Sequence, residues 1–339
     1  MIESLVKGLL IAAPFAVVAV FWIMAVRERR LAGNPGARGF FQHNGVPIGI
    51  FLLLAVGFWA VVMIVLPQLY MVDYSFHPKL PPKDYGGPKD HYTLENYHYF
   101  IFGSTTERDA LNTTHLRAFF LTIVCSIVVT FVNFCICYPL AYYMAQAAPA
   151  SRVRLLMLLL IVPFWVNEIL RAFAFRIIFG TSGILNNVLM ALGVVAEPID
   201  FLGLDVGLYT GLSYAYLLMM MFPLYNAIES LDRNQIEAAR DLGAPWWHIH
   251  LNVVMPHAKP GIASGCTMVF MLSAGALAAP QILGGPSSLW FTPIVYDRFY
   301  QAFNWPQGSA YAFILLLTCV LFVMAVMRVF KVSLGEITR

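Results

Sequence analysis

The chain has 339 residues, of which 60% are hydrophobic and only 12% are charged. Soluble domains contain about half apolar and about a quarter charged residues, so this composition excludes an ordinary soluble protein and indicates a surface that faces lipid. The formal net charge of +3 says little about partners, and we expect none of them to be a nucleic acid.

Seven apolar runs reach or approach the length of about 18 residues that marks a transmembrane helix. They are, roughly, residues 5–26, 46–72, 116–144, 155–179, 206–228, 262–283 and 310–330. Basic residues cluster after the first and seventh runs, between the third and fourth, and between the fifth and sixth. Since Lys and Arg near helix ends stay on the cytoplasmic side, the sequence predicts a periplasmic N-terminus and a cytoplasmic C-terminus.

The first run could instead be a signal peptide. Its positive charges come mainly after the apolar stretch, however, and no small-residue cleavage site precedes polar sequence. We therefore expect a retained helix. All five cysteines, Cys125, Cys135, Cys137, Cys266 and Cys319, lie inside apolar runs. This placement predicts small membrane hydrophobes rather than a disulfide framework.

Two of the predicted exterior segments carry helix signals. The segment 73–113 is rich in Pro and Gly, and the Tyr and Phe content of its later half favours a short interfacial helix. The segment 180–205 has the spacing of a short amphipathic helix. Asp200, Asp205 and Asp297 in the exterior loops could meet a soluble partner, although solvated loop carboxylates are commoner.

A polar segment, EAARDLGAPWWHIHLNVVMPHAKPG, separates the fifth and sixth runs. Asn234, three residues before a glutamate, is typical of a capping box that begins a helix, and Gly243 is suited to ending it in a left-handed conformation. Pro245 suits the first turn of a second helix over 246–254, which Pro256 would close. The alternative is an ordinary cytoplasmic loop whose aromatic residues lie along the lipid headgroups.

The same segment resembles the signature of the membrane-spanning subunits of ABC importers. The match consists of Glu-Ala-Ala at 237–239, Gly243, and the ending Val-Val-Met-Pro at 253–256, where the family more often has Ile and Leu in place of Val253 and Met255. The resemblance implies a coupling helix that sits in a groove of a cytoplasmic ATPase. The residues it implies are Glu237, Ala238, Ala239, Asp241, Gly243, Ala244, Trp246, Trp247 and Pro256.

Further stretches, among them PFWVNEILRAFAFRIIFGTSGILN and APQILGGPSS, are similar to the first permease subunit of spermidine/putrescine-type importers, and the similarity covers about 51–330. It implies an all-α, polytopic type I importer fold with a six-helix core. Residues 1–44 would add an extra helix and an Arg-rich connection, and residues 45–339 would form the permease domain, with its coupling loop at about 230–259. The assembly implied is a second homologous permease, an ATPase dimer and a periplasmic solute-binding protein in the bacterial inner membrane.

Motifs for ATP binding or catalysis are missing from the sequence. There is no G-x-x-x-x-G-K-[ST] phosphate loop, so we expect ATP and Mg²⁺ to bind a separate ATPase subunit and no cofactor or metal to bind this chain. Neither H-E-x-x-H nor G-x-S-x-G occurs. The chain is therefore predicted to be a transport subunit rather than an enzyme.

Ionisable residues inside the fourth run are expensive in lipid, so they need a partner or a water-filled path. On a continuous helix Glu168 and Arg171 share a face about 20 Å into the bilayer and could form a structural ion pair. Alternatively, Glu168 offers its carboxylate to a cationic solute. The candidate pathway residues are Trp165, Glu168, Arg171, Tyr209 and Tyr214, with Tyr216 beside them.

Polyamines are the solute class that the resemblance implies. Another cationic or zwitterionic nitrogen compound, such as an amino-acid derivative or an opine, stays open because selection occurs largely in the binding protein. A secondary transporter would require inverted repeats and broken helices near the midplane, and an intramembrane enzyme would require a paired nucleophile and base. The sequence gives neither rival positive support.

Overall fold

The computed structural model describes residues 46–103, 111–285 and 288–332. Within these ranges the regular structure is helical, which confirms the all-α expectation. The first predicted run and the Arg-rich connection after it lie outside the described residues. The described residues divide into two compact units, one within residues 1–96 and 305–313 and the other within residues 97–304 and 314–339.

We number the α-helices of the described residues in chain order. The first seven are α1 (Val46–Ala60), α2 (Leu66–Ser75), α3 (Glu95–Phe102), α4 (Thr113–Tyr142), α5 (Ala150–Phe164), α6 (Glu168–Phe179) and α7 (Ile184–Ala191). The others are α8 (Val206–Glu229), α9 (Arg233–Asp241), α10 (Trp246–Ile249), α11 (Met255–Ala274), α12 (Ala278–Leu283), α13 (Phe291–Tyr300) and α14 (Trp305–Phe330). Three π-helical turns, Val61–Val65, Tyr143–Ala147 and His250–Val254, continue α1, α4 and α10.

Five helical stretches of the described residues are long and apolar enough to cross a membrane. They are Gly49–Ser75, Thr113–Ala147, Glu168–Ala191, Val206–Glu229 and Trp305–Phe330. Four of them correspond to the second, third, fifth and seventh predicted runs. The fourth and sixth runs differ from their predictions.

The fourth run is not one helix. α5 ends at Phe164, one residue after Pro163, and α6 begins at Glu168, where the Asn167 side chain accepts the Ile169 N–H at 2.9 Å. A proline near a helix end and an Asn cap together favour a break. The break lies after the 15 residues of α5, so the depth of about 20 Å expected for Glu168 stays a prediction.

The sixth run begins earlier and ends earlier than predicted. α11 covers Met255–Ala274 and is followed by the separate short helix α12. α11 lies very close to α8, because a Cβ at Gly261 would overlap the carbonyl oxygen of Pro223 and one at Gly265 would press on the Met220 sulfur. Small residues four apart allow such close packing of membrane helices.

α4, α8 and α11 form the centre of the larger unit. Side chains with no exposed surface on these helices include Val129, Met220, Leu224 and Phe270. The same core contains Asn133, whose amide is buried without a hydrogen-bond partner. The cysteines are all free, as predicted, with Cys137 buried and Cys135 exposed on different faces of α4.

Both helices predicted in the exterior segments are present, as α3 and α7. In the smaller unit the buried Asn96 side chain donates to the carbonyl oxygens of Ser75 and His77, each at 2.9 Å. The Asp90 carboxylate accepts the Gly86 backbone N–H at 2.8 Å and contacts the His77 ring. These contacts, the Gly86 bond first, lower the pKa of Asp90 below its ordinary value.

Candidate functional site

The segment from Asp232 to Val254 forms two short helices joined by a sharp turn. α9 is capped by Asp232, whose side chain accepts the Asn234 N–H at 3.0 Å. The predicted cap at Asn234 was therefore wrong. Glu237 does not close a capping box and instead pairs with Arg233 at 3.1 Å. Both side chains are exposed, so this ion pair contributes at most about 1 kcal/mol.

The turn after α9 confirms the prediction for Gly243, which has φ of +76°. The Gly243 N–H bonds to the Arg240 carbonyl at 2.8 Å, and the Ala244 N–H bonds to the Ala239 carbonyl at 3.1 Å. This is the hydrogen-bond pattern of a Schellman motif, in which a left-handed residue ends the helix. A residue with a Cβ would be strained there, since left-handed backbone costs L-residues about 1–2 kcal/mol.

The second helix does not end where predicted. α10 continues through the π-turn His250–Val254 into α11, and Pro256 lies in the first turn of α11 instead of closing a helix. Within the π-turn the Met255 N–H bonds to the carbonyl of His250, five residues back. Proline is tolerated in a first helical turn because its missing N–H needs no partner there. α10, the π-turn and α11 thus form one continuous helical rod with an irregular turn.

One side of this segment is buried and the other is exposed. Ile236 and Ile249 are almost fully buried in the main core, whereas Leu242, Trp246 and Trp247 are 88%, 75% and 48% exposed. Of the other predicted coupling residues, Glu237, Ala238 and Asp241 are exposed and Ala239 and Ala244 are half-buried. Exposed apolar side chains grouped beside small residues are typical of a surface that binds a protein.

The buried side of the segment contacts the end of α4. The Nδ1 atom of His250 lies 2.8 Å from the Tyr138 hydroxyl, and its ring packs edge-to-face against Tyr142 at 4.4 Å between centroids. Burial lowers the pKa of His250 below its ordinary value, which favours the neutral imidazole. The motif reading missed these residues, although tyrosines four apart at the end of an apolar run are visible in the sequence.

The second candidate site lies at the break between α5 and α6. Glu168 is the first residue of α6, and its carboxylate accepts a long hydrogen bond of 3.4 Å from the Tyr216 hydroxyl on α8. Trp165, in the break itself, is 81% exposed. Glu168 therefore lies at the N-terminal, positive end of the α6 helix dipole.

The predicted ion pair between Glu168 and Arg171 is not formed. The Arg171 guanidinium lies 5.9 Å from the centre of the Phe164 ring, and its Nε atom is buried without a hydrogen-bond partner. Because α6 starts at Glu168, the two residues occupy its first turn, where the carboxylate faces α8 instead. The Glu168 carboxylate and the Arg171 guanidinium are therefore close in the first turn of α6, but they contact different residues.

The remaining predicted pathway residues are less well placed for a solute. The Tyr209 hydroxyl contacts the Cys125 sulfur on α4. Tyr214 is 40% exposed and packs edge-to-face on Phe175 at 5.2 Å. Glu168 and Tyr216 are thus hydrogen-bonded to each other, with Trp165 three residues before Glu168 in the chain, whereas Tyr209 contacts Cys125.

Comparison with known proteins gives a consistent picture. Residues 127–332 match the family model described as binding-protein-dependent transport system inner membrane component. The chain is 32% identical over 252 residues to the spermidine/putrescine transport system permease protein PotB of Haemophilus influenzae, covering 74% of this chain and 83% of that protein. It is 30% identical over 259 residues to PotB of Escherichia coli strain K12, covering 76% and 89%.

Two further similarities extend this picture. The inner membrane ABC transporter permease protein YdcU of Escherichia coli strain K12 is 25% identical over 327 residues, which is 90% of this chain and 98% of that protein. Among solved structures, a bacterial alginate ABC transporter in complex with alginate pentasaccharide-bound periplasmic protein aligns with a TM-score of 0.66 at 15% identity. That alignment covers 84% of this chain and 96% of the other, and it supports the same fold.

Proposed function

Because the chain belongs to the family of binding-protein-dependent transport system inner membrane components, we propose that it forms half of a translocation pathway whose opening is driven through α9 and α10. Family membership makes it a multi-pass permease subunit of an ABC importer and not an enzyme. Three further points are proposed below: the surface that binds the ATPase, the solute that is transported and the residues that contact this solute.

The observation that carries the proposal is the two-sided segment around Gly243. Ile236 and Ile249 anchor it in the core, while Leu242 and Trp246 project from the opposite side. Exposed apolar groups on a stiff turn fit a pocket of a soluble protein, and aromatic anchors dominate such interfaces. The occupant is an ATPase subunit, which binds ATP and Mg²⁺.

The assembly contains a second homologous permease, a pair of ATPase subunits and a periplasmic solute-binding protein. The basic clusters of the sequence support a cytoplasmic location for α9, α10 and the C-terminus, and a periplasmic N-terminus. Residues 45–339 act as the permease domain, and residues 1–44 as an addition to it.

The solute proposed is a polyamine. Support comes from the PotB relatives, whose names state spermidine/putrescine transport, and from the group at the helix break. Glu168 offers a carboxylate, Tyr216 a hydroxyl and Trp165 an exposed ring. These are the groups that hold an ammonium by ion pairing, hydrogen bonding and cation–π contact.

Arg171 favours a second candidate. Its Nε atom has no hydrogen-bond partner, and it lies three residues from the carboxylate. A zwitterionic nitrogen compound, such as an amino-acid derivative or an opine, would place its carboxylate on Arg171 and its ammonium on Glu168. Competition between labelled spermidine and such compounds separates the two candidates.

The test is uptake of labelled spermidine by proteoliposomes that contain the complete complex and internal ATP. We expect Glu168→Gln to abolish most uptake while the complex still assembles and hydrolyses ATP, because the amide keeps the shape and removes the charge. Glu95→Gln is the matched control, since it removes an exposed carboxylate on α3, outside the group at the helix break. Loss of the assembled complex in Glu168→Gln, or normal uptake, would contradict a pathway role.

A further inference from the structure

Three residues spaced four apart, Tyr138 and Tyr142 at the end of α4 and Gln146 in the π-turn that continues it, contact other parts of the chain near α9 and α10. The first two contact His250, which begins the π-turn after α10. The Tyr138 ring is 5.8 Å from the His250 ring in an edge-to-face arrangement, in addition to the hydrogen bond from its hydroxyl. Tyr138 and Tyr142 of α4 therefore hold the C-terminal end of the α9–α10 segment, the proposed docking segment for the ATPase.

Gln146 holds the near end of the same segment. Its Nε2 atom donates to the carbonyl oxygens of Ile228 at 2.9 Å and Leu231 at 3.3 Å. These carbonyls lie at the end of α8, immediately before α9 begins at Arg233. Carbonyls at helix ends lack intrahelical partners, so a side-chain donor here ties the chain firmly.

The two ends of the α9–α10 segment are thus attached to one helix. Both attachments occur beside π-turns, Tyr143–Ala147 in the α4 rod and His250–Val254 in the α11 rod. A π-turn replaces i→i+4 bonds by i→i+5 bonds and often marks a functional irregularity in a helix. A push on α9 and α10 would therefore reach α4 through defined contacts.

We propose that Tyr138 and Tyr142 of α4, together with Gln146 in the π-turn that continues it, transmit displacement of the α9–α10 segment to the membrane-spanning core, with the Tyr138–His250 hydrogen bond as the positioning contact. The proposal rests on the proposed docking of an ATPase to α9 and α10. Tyr138 and His250 act through the helices that they join and are positioning residues.

The ring and the hydroxyl of Tyr138 have different effects, and this difference separates transmission of movement from simple stabilisation of the complex. Packing of the ring alone would support the amount of folded complex, and Phe keeps that packing. The hydroxyl fixes the direction in which the π-turn can move relative to α4. Removing it should therefore lower solute transported per ATP hydrolysed, a ratio that does not depend on how much complex is present.

The experiment measures that ratio in proteoliposomes with the complete complex. Tyr138→Phe should lower spermidine uptake per ATP about five-fold, the size of effect expected for one net hydrogen bond. Tyr143→Phe is the matched control, because its hydroxyl bonds to the exposed Arg152 at 3.2 Å instead of the segment. Its ratio should equal that of the parent protein.

A double variant tests whether the bond itself is the route. His250→Leu should lower the ratio alone, and adding Tyr138→Phe should lower it no further, since the hydrogen bond that Tyr138→Phe removes is already absent in His250→Leu. Equal ratios in Tyr138→Phe and Tyr143→Phe, or losses that add in the double variant, would overturn the inference. If the parent chain fails to bind an ATPase at all, the proposed function fails instead, and the two failures are distinguishable.

Discussion

Replacing Gly243 by alanine perturbs the turn between α9 and α10 by backbone strain alone. The glycine has φ of +76°, and a Cβ built there meets no atom within 4 Å. The cost is therefore the left-handed penalty of about 1–2 kcal/mol, with no steric term. That energy changes the ratio between the native turn and its alternatives by about five- to thirtyfold. Valine, which is β-branched, should cost more.

The assay compares solute uptake with ATP hydrolysis in proteoliposomes of the complete complex. Gly193 provides the matched control, because its φ is +69° and a Cβ there also meets nothing within 4 Å. Gly193→Ala carries the same strain in the turn after α7, far along the chain from the docking segment. We expect Gly243→Ala to retain insertion and assembly but to lose uptake per ATP, and Gly193→Ala to keep both. Equal losses in the two variants, or normal uptake in Gly243→Ala, would refute the role given to this turn.

Three further predictions concern stability. Gly261→Ala should lower the unfolding temperature in detergent more than Gly265→Ala, because the first Cβ overlaps a backbone carbonyl oxygen, whereas the second meets a flexible sulfur at 2.7 Å and its nearest backbone atom lies 3.2 Å away. Asp232→Ala should destabilise α9 by about 0.5–2 kcal/mol, and Asp232→Asn by much less, in the same unfolding assay, since asparagine also caps. Asp90 has a lowered pKa, so it stabilises the fold above its ordinary value of 3.8, and this contribution should disappear as the pH falls through its lower folded pKa. Asp90→Asn should flatten that part of the acid-unfolding profile. An unchanged profile would show that protonation of Asp90 is not the cause of the loss of stability.

The features that local chemistry controls were predicted well. Gly243 ends its helix in the left-handed region, and the helices α3 and α7 occur within the segments where the aromatic and amphipathic patterns predicted them. Hydrophobic length located the second, third, fifth and seventh runs. In each case the decisive interactions lie within one or two turns, so a single sequence contains them.

The errors involve choices between neighbouring signals or contacts distant in sequence. Asp232 and Asn234 are both good caps, and the structure uses the earlier one. Pro256 was read as a helix stop, but the preceding π-turn lets it occupy a first helical turn. Glu168 faces Tyr216 across 48 positions of sequence, a pairing that no local rule supplies.

The most direct test of the account is photo-crosslinking from position 242 in the complete complex in native membranes. Leu242 is 88% exposed at the tip of the α9–α10 segment, and Leu192, 71% exposed after α7, serves as the comparison position. A photoreactive amino acid at position 242 should crosslink to the ATPase subunit, and one at position 192 should not. Crosslinks from position 242 to lipid alone, with none to the ATPase, would contradict the claim that this segment receives the motor.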